Sequence, residues 1–413
     1  METVDVAIVG GGVVGLSIAY ELSRTTNLTI ALYDKSGPGS GTSGRSAGVI
    51  CRHDHAPIYQ RLSLIGHARM RSFEAEFGLG FNAWGVLDIV RAPRPFPPED
   101  RAAAELGNSP SGMYANELLD RDALLARFPW VAPEDILGGV FEPRNGFINP
   151  FELIDLYRSL LLQTDRVALD YGNPVLALNR EGGRVTSVAT RRGTVRAGVV
   201  VNASGAWANK VAALAGAELR ITPQRLNVVV ASPTGGGFPD LPLHGAPGME
   251  WDGDGVWCRG ETGGTALFGQ HRDKTDPARP AADPDFFDAR ADNGFDARVQ
   301  ATLERYYRLP AHVVLNGWTC VYDTSDDGFP ILGYDPQVAN LIHAVGMNGH
   351  GMTIHAGVAR CVGALVRTGS RMVDISDVMP WPETLDFSPL RPERFAEGEP
   401  LALFADRTAR GME

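Results

Sequence analysis

The chain has 413 residues, more than one compact core comfortably organises, and suits two interleaved domains. Its hydrophobic content of 44% supports an ordinary interior, while a net charge of −11 excludes nucleic acid as an expected partner, because phosphate recognition needs a basic face. Four widely spaced cysteines, Cys51, Cys258, Cys320 and Cys361, form no CxxC pair, so neither a disulfide framework nor a zinc site is expected. No apolar run reaches the ~18 residues of a membrane span, and Met1 to Gly12 lacks a basic and then apolar leader, which makes the cytoplasm the expected compartment.

Residues 4–9 are rich in β-branched side chains and read as a buried strand. They run into Gly10-Gly11-Gly12-Val13-Val14-Gly15, a G-x-G-x-x-G sequence, followed by a helical pattern over 14–24. A second strand, 28–33, ends at Asp34. Strand, glycine turn, helix, strand and acid compose a dinucleotide-binding unit. Gly10 permits the tight turn, Gly12 lets a pyrophosphate reach the backbone, and Gly15 lets helix and strand pack closely. The helix start at Val13 and Val14 offers free N–H groups and a positive dipole end to the phosphates. Asp34 is placed to accept hydrogen bonds from ribose hydroxyls.

This unit does not separate FAD from NAD; the next segments do. Residues 35–50, KSGPGSGTSGRSAGVI, resemble the flavin-lining region of the D-amino-acid oxidase superfamily, in particular its glycine oxidase and sarcosine oxidase branch. Residues 199–207, VVVNASGAW, are similar to the strand that returns to the cofactor. Residues 318–333, WTCVYDTSDDGFPILG, resemble the strand and turn before the flavin. The flavin-facing glycine turn is matched by 346–353, GMNGHGMT, with a helix over 354–367 after it, and 385–395 resembles the usual ending. The likeness therefore runs in order from residue 4 to 395.

The resemblance implies FAD as cofactor and an α/β fold, with a Rossmann-type FAD-binding domain interleaved with a second domain built on a mixed or antiparallel sheet. It places Lys35, Thr42, Ser43, Arg45, Ser46, Ala47, Gly48, Val175, Ala203, Gly205 and Trp207 along the cofactor. Gly346, Asn348, Gly349, His350, Gly351, Met352 and Thr353 form the turn at the flavin. If that turn opens a helix, its N–H groups and dipole stabilise the negative charge of the reduced flavin. The implied FAD domain comprises 1–50, 148–215 and 318–375, and the second domain 51–147 and 216–317. A C-terminal extension, 376–413, follows, charged and loosely held beyond Ala396.

Strand patterns at 85–91, 226–231 and 256–269 belong to the second domain. Helical patterns cover 57–77 and 150–162, and apolar alternation over 175–201 around Gly182-Gly183 predicts a hairpin on the FAD domain.

The implied activity is oxidation of a small secondary amine or N-substituted amino acid by hydride transfer to flavin N5, giving an imine that hydrolyses. Oxygen or another acceptor takes the electrons. A 2-hydroxy-acid dehydrogenase and a flavin-carrying subunit of a larger complex are the alternatives, and the oligomeric state is open. A carboxylate substrate needs an anchor, and the planar arginine fork supplies one. Arg52 and Arg259 are the candidates, with an ion pair to Glu261 as the other reading of Arg259. His53 and His55 stand beside Arg52 as groups that tune the cavity or take a proton. No histidine spacing suggests a metal.

Cys320 matches the position of a thioether to the flavin, with a small buried cysteine as the alternative, and Tyr322 matches a substrate-site tyrosine. Thr353 stands where the sarcosine oxidases that the chain resembles carry a second carboxylate-binding lysine. Only three lysines occur, Lys35, Lys210 and Lys274, and none occupies the oxygen-activating position. "Oxidoreductase" is therefore the safer expectation than "oxidase".

Overall fold

The computed structural model describes residues 3–51, 56–92, 116–245, 256–270, 281–292, 294–379 and 382–401. The first strand, Thr3–Val9, lies inside an eight-stranded sheet. Ile30–Tyr33 and then Val167–Asp170 run parallel on one side of it. On the other side lie Gly193–Asn202 and Leu341–Val345, also parallel, with Ile331–Tyr334 antiparallel at the edge. The inner strands are buried on both faces, so Ala7, Ile8, Leu32, Val200 and Val201 give continuous apolar runs instead of alternation. The hairpin Val175–Glu181 and Arg184–Thr190 turns at Gly182 and Gly183, both at positive φ, and pairs onto Gly193–Asn202.

Helices Val13–Thr25, Pro150–Leu161 and Gly351–Thr368 share one core through Leu16, Ile18, Leu22, Ile154, Ile354, Val358 and Val362. Pro57–Phe77 crosses Gly351–Thr368 at backbone contact: a Cβ on Gly66 would lie 1.8 Å from the Thr353 carbonyl oxygen. A Cβ on Gly357 would lie 2.8 Å from Leu62 Cα. Two glycines thus fix where the last helix begins.

A five-stranded antiparallel sheet forms the second layer, in the order His244–Gly245, Val256–Glu261, Thr265–Gln270, Ile221–Pro233, His312–Ser325. A three-stranded sheet of Val86–Arg91, Ile136–Glu142 and Glu117–Asp120 adjoins it, because Leu87 donates to the Leu243 carbonyl at 2.8 Å and Leu243 to that of Gly85 at 3.0 Å. Helix Phe295–Tyr306 packs on this layer through Phe295, Val299 and Leu303.

Three expectations change. The run 256–269 is two strands, broken at Gly263 and Gly264, whose φ angles of 94° and 79° suit a reversal better than a strand. His312–Ser325 pairs along its length with Ile221–Pro233, so a domain boundary at 318 would cut one strand of the second sheet. The end is tied down through residue 401. Arg394 is fully buried, grips Asp327 at 2.7 and 2.9 Å, and the Leu401 N–H reaches the same carboxylate at 3.0 Å. No described helix is long and apolar enough to cross a membrane.

Candidate cofactor and active site

The glycine turn is a cradle closed to side chains. Gly10 has φ +117°, and a Cβ there would lie 2.3 Å from the Ala203 carbonyl oxygen. A Cβ on Gly15 would lie 1.9 Å from the Gly10 carbonyl oxygen, so helix Val13–Thr25 approaches the first strand only because that residue is glycine. Gly12 caps this helix without a side-chain hydrogen bond, and Ser43 Oγ accepts from the Val13 N–H at 3.1 Å. Asp34 follows Ile30–Tyr33 and accepts from Gly11 and Ser36, each at 2.8 Å, which fixes its carboxylate beside the turn.

From this cradle extends a pocket of about 460 Å³. Gly10, Gly12, Val13, Val14 and Asp34 border its start. Lys35, Thr42, Ser43, Arg45 and Ser46 continue it, with Val175, Ala203, Gly205 and Trp207 alongside. Tyr322, Gly349, Gly351 and Met352 border it from the second layer and the last helix. The helix start, the turn that no Cβ could enter and the carboxylate beside it fit the phosphates and sugar of a dinucleotide.

The loop 42–48 lies between the layers and is bonded to both. Thr42 Oγ1 donates to the Val321 carbonyl at 2.6 Å, Trp318 Nε1 to that of Arg45 at 3.0 Å, and Arg259 Nε to that of Ala47 at 2.8 Å. Gly48, at φ +68°, accepts from the Ile148 N–H at 3.0 Å. Ala47 and Gly48 therefore hold the loop in place and are not among the pocket's lining residues.

Arg259 takes the second of its two expected readings, the ion pair with Glu261. Besides Ala47, its guanidinium donates to the Gly260 carbonyl at 2.6 Å and to Glu261 at 2.9 Å. The group lies 3.9 Å over the Phe147 ring and is 2% exposed. With each nitrogen engaged, its fork is occupied. Arg52, His53 and His55 lie outside the described residues.

The turn before the last helix is held by a carboxylate that the sequence did not single out. Asp323 accepts from the N–H groups of Gly346 at 2.8 Å and Met347 at 3.1 Å, and borders the pocket. An aspartate directly after the Cys320-Val321-Tyr322 run of a strand was the available signal, since a buried carboxylate needs donors. Asn348, at φ +52° and fully buried, accepts from the Ser325 N–H at 3.0 Å and donates to the Gly346 carbonyl. The His350 ring lies 4.9 Å from that of Tyr59. Gly346, Asn348 and His350 shape the turn from behind, whereas Gly349, Gly351 and Met352 face the pocket. Thr353 is bound elsewhere: its hydroxyl donates to the Val49 carbonyl at 3.0 Å and accepts from the Cys51 N–H at 3.3 Å.

Tyr322 packs on the turn, and a Cβ on Gly349 would lie 2.3 Å from its ring. Burial, and then Cys320 beside it, push its phenol up. Cys320 itself is buried and not among the pocket's lining residues, and burial pushes its thiol up to about 12. Asp285, also unanticipated, reaches the pocket from the second layer together with Pro284 and Phe287. Among the described residues no cluster of His, Cys, Asp and Glu could hold a metal.

A mostly parallel core sheet with a glycine cradle, overlaid by an antiparallel sheet, defines a two-layer dinucleotide-binding fold. The profile of the DAO family, FAD dependent oxidoreductases, matches residues 5–365, and the chain belongs to that family. FAD is its cofactor. Among relatives, a Xenopus laevis FAD-dependent oxidoreductase domain-containing protein 1 is 28% identical over 97% of this chain and 84% of its own length. The Homo sapiens mitochondrial dimethylglycine dehydrogenase is 23% identical over 92% of this chain, which spans 44% of that longer protein. The crystal structure of L-proline dehydrogenase from P. horikoshii superposes with a TM-score of 0.79 at 20% identity, covering 96% of this chain and 99% of that one.

Proposed function

We propose that this FAD-dependent oxidoreductase oxidises the C–N bond of a small secondary amine or N-substituted amino acid. The observation that carries the reading is the apolar corner of the pocket where the second layer meets the turn before the last helix. Tyr322, Ala344, Met347, Gly349 and Met352 border the pocket there, and Tyr322 packs directly on Gly349. An apolar, water-poor surface disfavours an ammonium ion and favours the neutral amine, the form that gives up a hydride. A sequence relative and a protein of the same fold are named for N-substituted amino acids, dimethylglycine and L-proline respectively.

FAD held in this pocket supplies a two-electron acceptor: the substrate loses a hydride from carbon and a proton from nitrogen, and water hydrolyses the imine. The chain's own part is positioning. Asp323 and Asn348 fix the turn, the N-terminus of Gly351–Thr368 presents its dipole to the pocket, and Tyr322 closes that corner. With Arg259 engaged, Arg52 is proposed as the carboxylate anchor. It follows Cys51, whose N–H is fixed by Thr353. Lys35 and Lys210 both pair with Asp285, so an electron acceptor other than oxygen is proposed.

Product analysis with an artificial electron acceptor tests the reading. N-substituted amino acids should yield a carbonyl compound and an amine in equal amounts. Arg52→Ala should raise KM for carboxylate substrates by about tenfold or more, the worth of one charge-assisted pair, and spare amines that lack a carboxylate. A 2-hydroxy acid turned over to its oxo acid, with no amine substrate accepted, would overturn it.

A further inference from the structure

We propose that residues 281–292 form a clasp across the cofactor pocket, fastened by Asp285, whose opening governs FAD exchange. The segment is anchored on the second sheet. Thr319 N–H donates to the Ala289 carbonyl at 2.9 Å and Thr319 Oγ1 to that of Asp288 at 2.6 Å. Asn227 and Asp292 exchange two hydrogen bonds, at 2.8 and 2.9 Å, and Arg225 donates to the Arg290 carbonyl at 2.7 Å. From this base the chain reaches the first layer, where Pro284, Asp285 and Phe287 border the pocket.

Asp285 is where the clasp lands. Its carboxylate accepts from Trp207 Nε1 at 2.8 Å and from the ammonium groups of Lys35 and Lys210. Asp283 takes Lys210 as well, at 2.7 Å. Lys35, which follows Asp34, also stands 4.2 Å over the Trp207 ring. Trp207, Lys35 and Lys210 all border the pocket. One aspartate from the second layer therefore orients an indole and pairs with two cations, on two separate stretches of the first layer, at the wall of the cofactor site.

The exposure of these groups suits a fastening that opens. Lys35, Lys210 and Asp285 side chains are 41%, 48% and 29% exposed, so water and salt reach them and each pair is individually weak. The Arg394–Asp327 pair is the contrast: at 0% and 2% exposure it is a permanent tie. Opening the clasp breaks a few screened contacts and leaves the buried anchors of the segment intact.

The test follows FAD release from the holoprotein, as the fluorescence of free FAD after dilution, in a Cys320→Ser background so that no thioether can mask it. Raising salt from about 0.1 to 1 M, which shortens the screening length from roughly 10 to 3 Å, should accelerate release. Asp285→Ala should release FAD about tenfold faster at low salt, as expected for a carboxylate serving three donors, and should lose the salt response. Equal rates and an equal salt response in the parent and Asp285→Ala would overturn the proposal. Should that variant fail to fold, Lys210→Met decides: a weakened salt response supports the clasp, and an unchanged one removes it.

Discussion

Arg259 shows how burial changes what a side chain can do. An arginine fork matches a carboxylate by its chemistry alone, yet this one serves Ala47, Gly260 and Glu261 and rests on Phe147. Its task is to bind the flavin-lining loop to the second sheet. A lysine keeps the charge but not the fork, so Arg259→Lys should destabilise the fold by about 2 kcal/mol or more and weaken FAD retention. Thermal melts and FAD titration measure both effects; a raised substrate KM with unchanged melting would instead make Arg259 an anchor. Cys320 carries a second expectation. Its thiol, pushed up to about 12 chiefly by burial, stays protonated at neutral pH, which points to dissociable FAD. Acid-precipitated protein should leave its yellow colour in solution, and colour that stays on the pellet unless Cys320 is replaced would establish a thioether.

At the scale of elements, the parts made by local chemistry were legible in the sequence. Pro57–Phe77 starts at a proline and stops at Gly78 in a left-handed conformation, and its bounds were readable to the residue. The hairpin at Gly182-Gly183 and the first strand–turn–helix unit followed from the same kind of signal. What was not legible depends on partners far along the chain. Asp323 finds its donors 23 and 24 residues on, and Asp285 meets Lys210 across 75 residues, so neither spacing forms a motif. The Arg259–Ala47 contact was illegible for the same reason, because Ala47 lies 212 residues away. The turn before Gly351–Thr368 is the element on which the site depends most. Gly349 combines φ +84° with a prospective Cβ only 2.3 Å from the Tyr322 ring, so Gly349→Ala meets both strain and a clash. It should lower stability by about 1–3 kcal/mol and perturb the flavin's visible spectrum by displacing Tyr322. An unchanged spectrum and melt would mean that the turn tolerates the shift.

Across the whole molecule, the two layers carry buried neutral histidines in their cores. His355 donates to the Met352 carbonyl at 2.8 Å and is bonded to Tyr157 at 3.0 Å, which joins two helices of the FAD layer. His244 donates to the Pro242 carbonyl and meets the Tyr307 hydroxyl, each at 2.7 Å, inside the second layer. Burial lowers both rings to about 4, against a partial opposing pull from those carbonyls. The unfolded chain therefore binds these protons first as the pH falls. Their contribution is complete above the ordinary histidine value near 6.5 and is lost from there down through 4, by up to about 3 kcal/mol per ring. The melting temperature should be flat above pH 7 and drop clearly by pH 5. A melting temperature unchanged over that interval would show that these rings are not held neutral.

Both layers converge on one pocket, and its chemistry is open to a single direct measurement. The holoprotein is titrated without oxygen, first with N-substituted amino acids and then with 2-hydroxy acids, while the flavin absorbance is followed. An amine that bleaches the flavin completely, with one substrate oxidised per FAD, is the predicted result. Bleaching by a hydroxy acid, with every amine leaving the flavin oxidised, would contradict the assignment of this site to C–N bond oxidation.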